Sequence, residues 1–508
     1  MTKACLDTAG PKELNFPEER KRALYDVFAS GDPRFDGKLF VGVSSTGIYC
    51  RTVCTAKMPR YENCTFFRTA AEAEAAGYRP CMTCRPEVAP GVSAVDARAS
   101  LARRAASVIR AQCAVPGGVE AIAAKLGYTG RHLRRAFASE YGVTPSQYAQ
   151  TCRLLLAKSL LTDSDLPVAL VAEASGFGSA RRFNDVFMER YRLTPTDLRK
   201  RAGNGAAPSG TITVHLGYRP PYRFLELLSF FRERQMEEVE LVNETEYART
   251  VHMEEPGGNV ACGWLRIEND SKRNRLVVTM SESLAPCVPQ VVARVRSMFD
   301  VDCDPQAIAR GLASLDDIVP GAVREGTRLP GCFDPFETSC RAVLGQQVSI
   351  TAANKLAARI VKRYGAPVET GVDGLTRAFP TPADMIALER IEGVFGELGV
   401  FRTRSRAIAQ IARMLETGAL DFGPGALAAK QIETLLSIKG IGPWTANYIA
   451  MRALSYPDAF LEDDTGVAHA LPNMTPKRRL KAAEGWRPWR SYAVVSLWNS
   501  LANSDENA

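Results

Sequence analysis

The chain has 508 residues, 46% of them hydrophobic and 24% charged, with a net charge of +8. That length predicts three or four domains, and the composition excludes a disordered or fibrous chain in favour of a soluble globular one. No apolar run reaches the roughly 18 residues of a membrane span, and the N-terminal stretch MTKACLDTAGPKELNFPEERKR lacks the apolar core of a secretion signal. A cytoplasmic protein with no membrane partner is therefore expected. Thirteen cysteines in such a chain favour metal and free thiols over disulfides. None lies beyond Cys340, which excludes a cysteine-ligated iron–sulfur cluster in the last third. The four histidines, His132, His215, His252 and His469, are too scattered for a histidine metal site.

In chain order, the first chemistry-bearing pattern is Cys50, Cys54, Cys81 and Cys84, a C-x3-C and a C-x2-C pair. Two close pairs brought together form a tetrahedral four-thiolate site suited to one zinc ion. Four thiolates on a divalent ion leave a charge of about −2, so the sulfurs remain nucleophilic. On spacing alone a purely structural zinc is the commoner use of such a site. Around the cysteines the chain reads FVGVSSTGIYCRTVC (40–54) and GYRPCMTCRP (77–86). These words closely resemble the N-terminal zinc domain of the Ada adaptive-response family, over roughly residues 12–92. The resemblance implies that all four cysteines bind zinc and that the first, Cys50, irreversibly accepts a methyl group from a DNA methylphosphotriester. A neutral triester lets an anionic thiolate approach, and the metal keeps that sulfur deprotonated. Methylation lowers the site's negative charge and so its repulsion from DNA phosphates, which would switch on DNA binding. Cys64, between the pairs, has no partner spacing and is expected to be a small core residue.

Between residues 101 and 201, 16 lysines and arginines face 8 acidic residues, so the chain's positive excess is concentrated there. That is the electrostatic footprint of a nucleic-acid binder, although most charge runs are merely solvated faces. The helical pattern decides. VEAIAAKLGYTGRHLRRAFASEY (119–141) predicts two short helices around a turn at Gly127, with Thr129 capping the second. Arg131, Arg134 and Arg135 would lie on its outer faces, as a major-groove reader requires. VALVAEASGFGSARRFNDVFMERY (168–191) repeats the plan, with Ser179 as cap and Arg181 and Arg182 early in the second helix. Both units end on similar words, YGVTP and YRLTP. The tandem resembles the DNA-binding domain of the AraC family over 98–201. The flexible AGNGAAPSG (202–210) reads as a linker.

Beyond it, TITVHL (211–216), ACGWLRI (261–267) and RLVVTM (275–280) predict strands, and PQVVARVRSMFD (289–300) a packing helix. From about residue 328 the pattern becomes helical. In LLSIKGIGPWTANYIA (435–450) a helix ends at Ile438, Gly440 and Gly442 form a tight turn, and Pro443 opens the next helix. Backbone N–H groups at such a turn grip a DNA phosphate without reading sequence. This hairpin, followed at FLEDDTGV (460–467) by acidic residues, resembles the helix-hairpin-helix DNA glycosylase superfamily. Matches at YRPPYRFLELLSFF (218–231), LPGCFDPFETSCRAVLGQQVS (329–349) and WRPWRSYAVVSLW (486–498) resemble its AlkA branch of alkyl-base glycosylases.

The resemblance implies that Asp464 is the catalytic carboxylate, with Glu462 and Asp463 as alternatives, and that Trp444, Tyr448 and Trp498 line the pocket for a flipped base. It further implies a hydrolase without strand cleavage, because Trp444 stands where bifunctional members carry a Schiff-base lysine. Where the branch has a leucine wedge this chain has Gln347, and Gln347→Ala is expected to weaken binding to abasic-site DNA. The motif PCHRV of the O6-methylguanine transferases is absent.

The expected architecture is multidomain α+β: a tail (1–11), a four-cysteine zinc domain (12–92), an all-α tandem helix-turn-helix domain (98–201), the linker, an α+β AlkA N-terminal-like domain (211–327) and an all-α helix-hairpin-helix glycosylase domain (328–503). The expected function is hydrolysis of alkylated purines from DNA, joined to a methyl-sensing regulator. The competing reading is a DNA-binding regulator without catalysis, against which the carboxylate and its aromatic pocket argue. Expected ligands are one Zn2+ and a monovalent cation at the hairpin. Expected partners are damaged and promoter double-stranded DNA and, for a promoter-bound activator, RNA polymerase.

Overall fold

The computed structural model describes residues 17–91, 101–113, 117–202, 210–255 and 258–505; the expected tail and nearly all of the expected linker lie outside them. After α1 (Glu18–Ala29) come the hairpin β1 (Phe40–Val43) and β2 (Ile48–Arg51), then β3 (Cys64–Phe67), α2 (Ala70–Ala75) and β4 (Arg79–Pro80), in sheet order β3-β1-β2-β4. Gly47, at φ 65°, closes the β1–β2 turn in the left-handed region that suits glycine. β2 pairs parallel to β4, with Tyr49 opposite Pro80. The next amide, that of Cys81, donates to the Tyr49 carbonyl at 3.0 Å, so the sheet itself sets Cys81 beside Cys50.

Seven helices follow: α3 (Leu101–Gln112), α4 (Gly118–Lys125), α5 (Gly130–Tyr141), α6 (Pro145–Asp163), α7 (Val168–Ala174), α8 (Ala180–Tyr191) and α9 (Pro195–Ala202). Thr129 caps α5 and Ser179 caps α8, as the sequence predicts. α5 turns Leu133 and Phe137 into the core, and α8 turns in Phe183 and Phe187. The 19-residue α6, opened by a Thr144–Gln147 capping box, joins the two halves.

The third unit holds β5 (Thr211–Gly217), α10 (Phe224–Glu233), β6 (Glu240–Val242), β7 (Glu246–Glu254), β8 (Val260–Asp270), β9 (Arg275–Ser281) and α11 (Val288–Met298). The five strands form an antiparallel sheet in the order β5-β9-β8-β7-β6. The sequence predicts only β5, β8 and β9. β7 was missed because Tyr247 to Val251 are buried on both faces of the sheet, which erases the period-two signal; one of them, Arg249, is neutralised by an ion pair to Glu337 at 2.6 Å.

The last unit is helical: α12 (Pro305–Gly311), α13 (Ala313–Asp316), α14 (Pro335–Leu344), α15 (Ile350–Tyr364), α16 (Pro382–Ala387), α17 (Ile391–Glu397), α18 (Arg402–Glu416), α19 (Ala428–Leu436), α20 (Pro443–Ala453), α21 (Thr465–Ala470), α22 (Pro476–Ala483) and α23 (Arg490–Asp505). Two apolar clusters fill it, one between α14, α18 and α20 and one around Trp486 and α23. No helix among the described residues is long and apolar enough to cross a membrane.

The units share cores rather than hanging on tethers. One cluster runs from Leu154 of α6 through α8 to the β5–β9 sheet and α11. Lys158 of α6 is buried against Glu87 at 2.6 Å. Arg85, next after Cys84, pairs with Asp163 at the end of α6, and Asp163 also meets His215 of β5 at 3.1 Å. Glu74 of α2 is buried where the first sheet meets α6 and α8, accepting hydrogen bonds from Thr151 (2.9 Å), Tyr49 (3.2 Å) and Tyr191 (3.4 Å).

Burial pushes the Glu74 carboxyl up to about 7 despite those donors. The folded value lies above the ordinary 4.5, so the stability Glu74 contributes is full below about pH 4.5 and is lost as pH rises through about 7. Glu74→Gln should remove that loss, at most ~3 kcal/mol. The difference in denaturation midpoint between variant and wild type should grow in the variant's favour from pH 5 to pH 8. A difference independent of pH would contradict the assignment.

Candidate functional site

The four cysteine sulfurs converge, all lying within 4.8 Å of one another. Sulfurs about 2.3 Å from a tetrahedral zinc sit about 3.8 Å apart, a separation compatible with this clustering. An all-sulfur donor set from two turns fits Zn2+. Cys50 ends up on β2, Cys54 just past it, and Cys81 and Cys84 after β4. Arg51 braces the second pair: its amide donates to the Cys84 sulfur at 3.3 Å and its guanidinium to the Cys84 carbonyl at 3.0 Å, while Asp36 holds the same guanidinium. Cys50, Cys81 and Cys84 are buried and Cys54 is half-exposed. Cys64 stands outside the cluster, half-buried, its thiol 3.4 Å from the Arg60 carbonyl.

On the two second helices of the tandem, Arg131, Arg134 and Arg135 of α5 and Arg181 and Arg182 of α8 are all exposed. Arg134 is engaged by Glu120 of α4, whose carboxylate would have to release it for that guanidinium to meet a phosphate or base.

The third site is a cluster of side chains contributed by α10, α20, α21 and α23. α19 ends at Leu436, two residues earlier than the sequence suggested, with Ser437 as its cap. The turn to α20 then passes through Gly440 at φ 98°, and Pro443 opens α20. Gly440 and Gly442 are exposed. Gln346 ties the neighbouring turn to this hairpin, its side-chain nitrogen donating to the Gly440 carbonyl at 2.9 Å and the Thr445 hydroxyl at 3.0 Å. Gln347 is exposed and left-handed at φ 54°, a conformation a non-glycine residue holds at some cost.

Asp464 caps the N-terminus of α21, one oxygen accepting the Val467 amide at 3.0 Å. The same oxygen accepts the Trp498 indole N–H at 2.8 Å, and the other oxygen accepts that of Trp444 at 3.1 Å. Three donors thus fix the carboxylate between two indoles. Gly466 makes this possible, because a Cβ there would come within 2.7 Å of Trp498. Trp444 stacks on Tyr448, centroids 5.0 Å apart at 9°, and Trp498 on Phe230 of α10, 6.0 Å apart at 19°. Of the alternatives, Asp463 is exposed, and Glu462 is anchored through its carbonyl by Arg479 at 2.8 Å.

Two members of this cluster escaped the sequence reading, Phe230 and Arg452. Arg452 donates to the Tyr448 hydroxyl at 2.7 Å and to the Gly331 carbonyl at 2.9 Å, and its guanidinium sits 4.8 Å from the Phe230 centroid. Burial pushes the Tyr448 phenol up, but Arg452 and Arg234 outweigh it and hold the group below its usual range.

Four family models match the chain in succession: the metal binding domain of Ada (residues 23–87), a helix-turn-helix domain (122–201), the AlkA N-terminal domain (213–334) and the HhH-GPD superfamily base excision DNA repair protein (340–484). Together with the Asp464 cluster, they define a base-excision DNA repair protein that carries its own DNA-binding regulator. A Mycobacterium tuberculosis protein described as a probable bifunctional transcriptional activator/DNA repair enzyme AlkA is 35% identical over 487 residues, covering 94% of this chain and 96% of the relative. DNA-3-methyladenine glycosylase 2 of Escherichia coli is 35% identical over 283 residues, 56% of this chain and 95% of that protein. The bifunctional transcriptional activator/DNA repair enzyme Ada of Escherichia coli is 30% identical over 186 residues, 37% of this chain and 51% of that protein. The chain belongs to the AlkA family of bifunctional transcriptional activator/DNA repair enzymes.

Proposed function

We propose that this chain excises alkylated purines such as 3-methyladenine from double-stranded DNA by hydrolysis and, at a separate site, takes methyl groups from DNA phosphotriesters onto Cys50. The observation that carries the first activity is the Asp464 carboxylate, held by two indole N–H groups within a cluster of aromatic side chains. A flipped alkylated purine is cationic and electron-poor, and the faces of Trp444, Tyr448, Trp498 and Phe230 suit it. As the C1′–N bond breaks, the base leaves with the electron pair as a neutral molecule. Positive charge passes to the sugar, where Asp464 stabilises it. Water then adds to C1′ and loses a proton, leaving an abasic site. The leaving group already bears the positive charge, so no strong acid is needed. The hairpin amides at Gly440 and Gly442 would hold a phosphate beside the lesion, and a monovalent cation on the hairpin carbonyls would strengthen that grip.

For the second activity, bound zinc would keep the cysteine sulfurs as thiolates at neutral pH. The Arg51 amide donates to the sulfur of Cys84. Cys50 stands first of the four in the chain, the position of the methyl acceptor in the Ada-type zinc domain that residues 23–87 match. It attacks the methyl carbon, the C–O bond breaks, and the phosphate leaves as a diester anion. The arginines of α5 and α8 then read promoter DNA, with RNA polymerase as the partner recruited there.

The test of the glycosylase reading is incubation with methylated duplex DNA. Free 3-methyladenine should appear while the strands stay intact, and borohydride should trap no covalent complex, since the cluster presents no lysine at Trp444. Nicked strands with a trapped complex would show a lyase instead; no base release would leave Cys50 as the one remaining candidate for chemistry on a DNA-binding regulator.

A further inference from the structure

Arg452 is 8% exposed, and no carboxylate among the described residues pairs with it. Its guanidinium donates instead to the Gly331 carbonyl, from two nitrogens at 3.2 and 2.9 Å, and to the Tyr448 hydroxyl at 2.7 Å. Two aromatic rings complete its surroundings, with centroids 4.8 Å (Phe230) and 5.6 Å (Tyr448) away. The neighbouring guanidiniums are all neutralised: Arg234 pairs with Glu233 at 3.0 Å, Arg341 with Glu240 at 3.0 Å and Arg249 with Glu337 at 2.6 Å. A buried cation without a counterion is costly to keep, and its field is weakly screened in the low-dielectric space beside it. That field already reaches Tyr448: burial pushes the phenol up, yet Arg452 and Arg234 hold it below its usual range.

α20 sets this charge opposite Asp464. Trp444, Tyr448 and Arg452 follow one another at four-residue spacing on one face of the helix. Trp444 holds the Asp464 carboxylate, and Arg452 stands two further turns along, about 12 Å down the axis. A base lying on the aromatic rings between them has a negative pole beside its sugar and a positive pole at its far edge. When the C1′–N bond of a cationic base breaks, the electron pair goes to the base, which becomes neutral, and the positive charge passes to the sugar next to Asp464. Arg452 therefore repels the base only until it leaves. We infer that Arg452 is a positioning residue: it holds Tyr448 against Trp444 and places an unneutralised positive charge at the far edge of the bound base, which destabilises the bound cation relative to the transition state. The aromatic faces, which attract the same cation, offset that repulsion on binding. The inference rests on the glycosylase reading and adds to it a residue that acts on the leaving group.

The experiment compares full-length wild type, Arg452→Gln, Arg452→Met and Arg452→Lys on a duplex carrying one 7-methylguanine, a cationic base, and on the same duplex with neutral hypoxanthine in its place. Single-turnover release over a range of enzyme concentrations gives the limiting rate and the half-saturating concentration for the cationic base, and a binding titration gives the affinity for the neutral one. Gln keeps a donor for the Gly331 carbonyl and Met keeps the length of the side chain, so one folded variant of the two suffices. The uncharged variants should release 7-methylguanine about tenfold more slowly at saturation and half-saturate at an about tenfold lower concentration, as loss of ground-state repulsion requires. The ratio of rate to half-saturating concentration should then stay within about threefold, and affinity for the hypoxanthine duplex within about twofold. Arg452→Lys, which restores the charge, should behave as wild type. Slower release without tighter binding of the cationic duplex, or equal weakening on both duplexes, would show a purely structural role and overturn the inference alone, as would uncharged variants that match wild type. A wild type that releases no alkylated base overturns the glycosylase reading and the inference with it.

Discussion

Asp464→Asn should lower release of 3-methyladenine by about 10²–10³ or more while leaving binding to undamaged duplex unchanged. Two effects add. The charge that stabilises the sugar cation is lost, and the amide cannot satisfy the cluster. One Asn oxygen can serve Val467 and Trp498, but the amide nitrogen would then face the Trp444 N–H, donor against donor, where the carboxylate oxygen now accepts at 3.1 Å. Duplex binding should persist because the hairpin glycines and the arginines lie on other segments. Asp463→Asn and Glu462→Gln should retain most activity, since neither residue takes part in the indole contacts. Base release and duplex affinity, measured side by side on the three variants, check this. A fully active Asp464→Asn, or an inactive Asp463→Asn, would assign the chemistry to another carboxylate.

Cys50→Ser should abolish methyl uptake from phosphotriester DNA and leave base release intact. A hydroxyl at this position is neither a zinc thiolate nor a nucleophile at neutral pH, so one substitution removes the acceptor and a metal ligand together. Because Cys50 lies on β2 next to Tyr49, whose hydroxyl meets Glu74, metal loss should also loosen the contact between the first sheet and α6, lowering the midpoint of thermal denaturation. Cys64→Ser should take up methyl normally. Peptide mass spectrometry after exposure to methylated DNA reads both variants, and a methyl group on Cys54 in wild type would displace Cys50 as acceptor.

What could be read from the sequence was whatever a short stretch of chain determines. Four cysteines at pair spacing, the Gly440–Gly442 turn before Pro443 and the caps Thr129 and Ser179 are local patterns, and each stands in the structure where its pattern suggests. Phe230 shows where that reading ends. It lies in the quoted stretch 218–231 beside Phe231, and the two are chemically identical. Phe231 packs into the sheet core against Tyr247 and Phe299, whereas Phe230 reaches Trp498 far along the chain; only the placement of α10 distinguishes them. Arg452 carries no local signal of its place, because only folding buries it against Tyr448. The polar contacts that join the zinc unit to α6 and β5, through Arg85, Asp163 and His215, also left no trace, because their partners are far apart in sequence.

The account's central claim is that one chain carries two separate chemistries toward methylated DNA. The most direct test incubates the full chain with duplex DNA methylated on both bases and phosphates, then analyses the solution for free bases and the protein for peptide masses. The account predicts free 3-methyladenine in solution together with one added methyl group on the Cys50 peptide. Absence of either the free base or the methylated Cys50 peptide would contradict it, and absence of both would leave a DNA-binding regulator without catalysis.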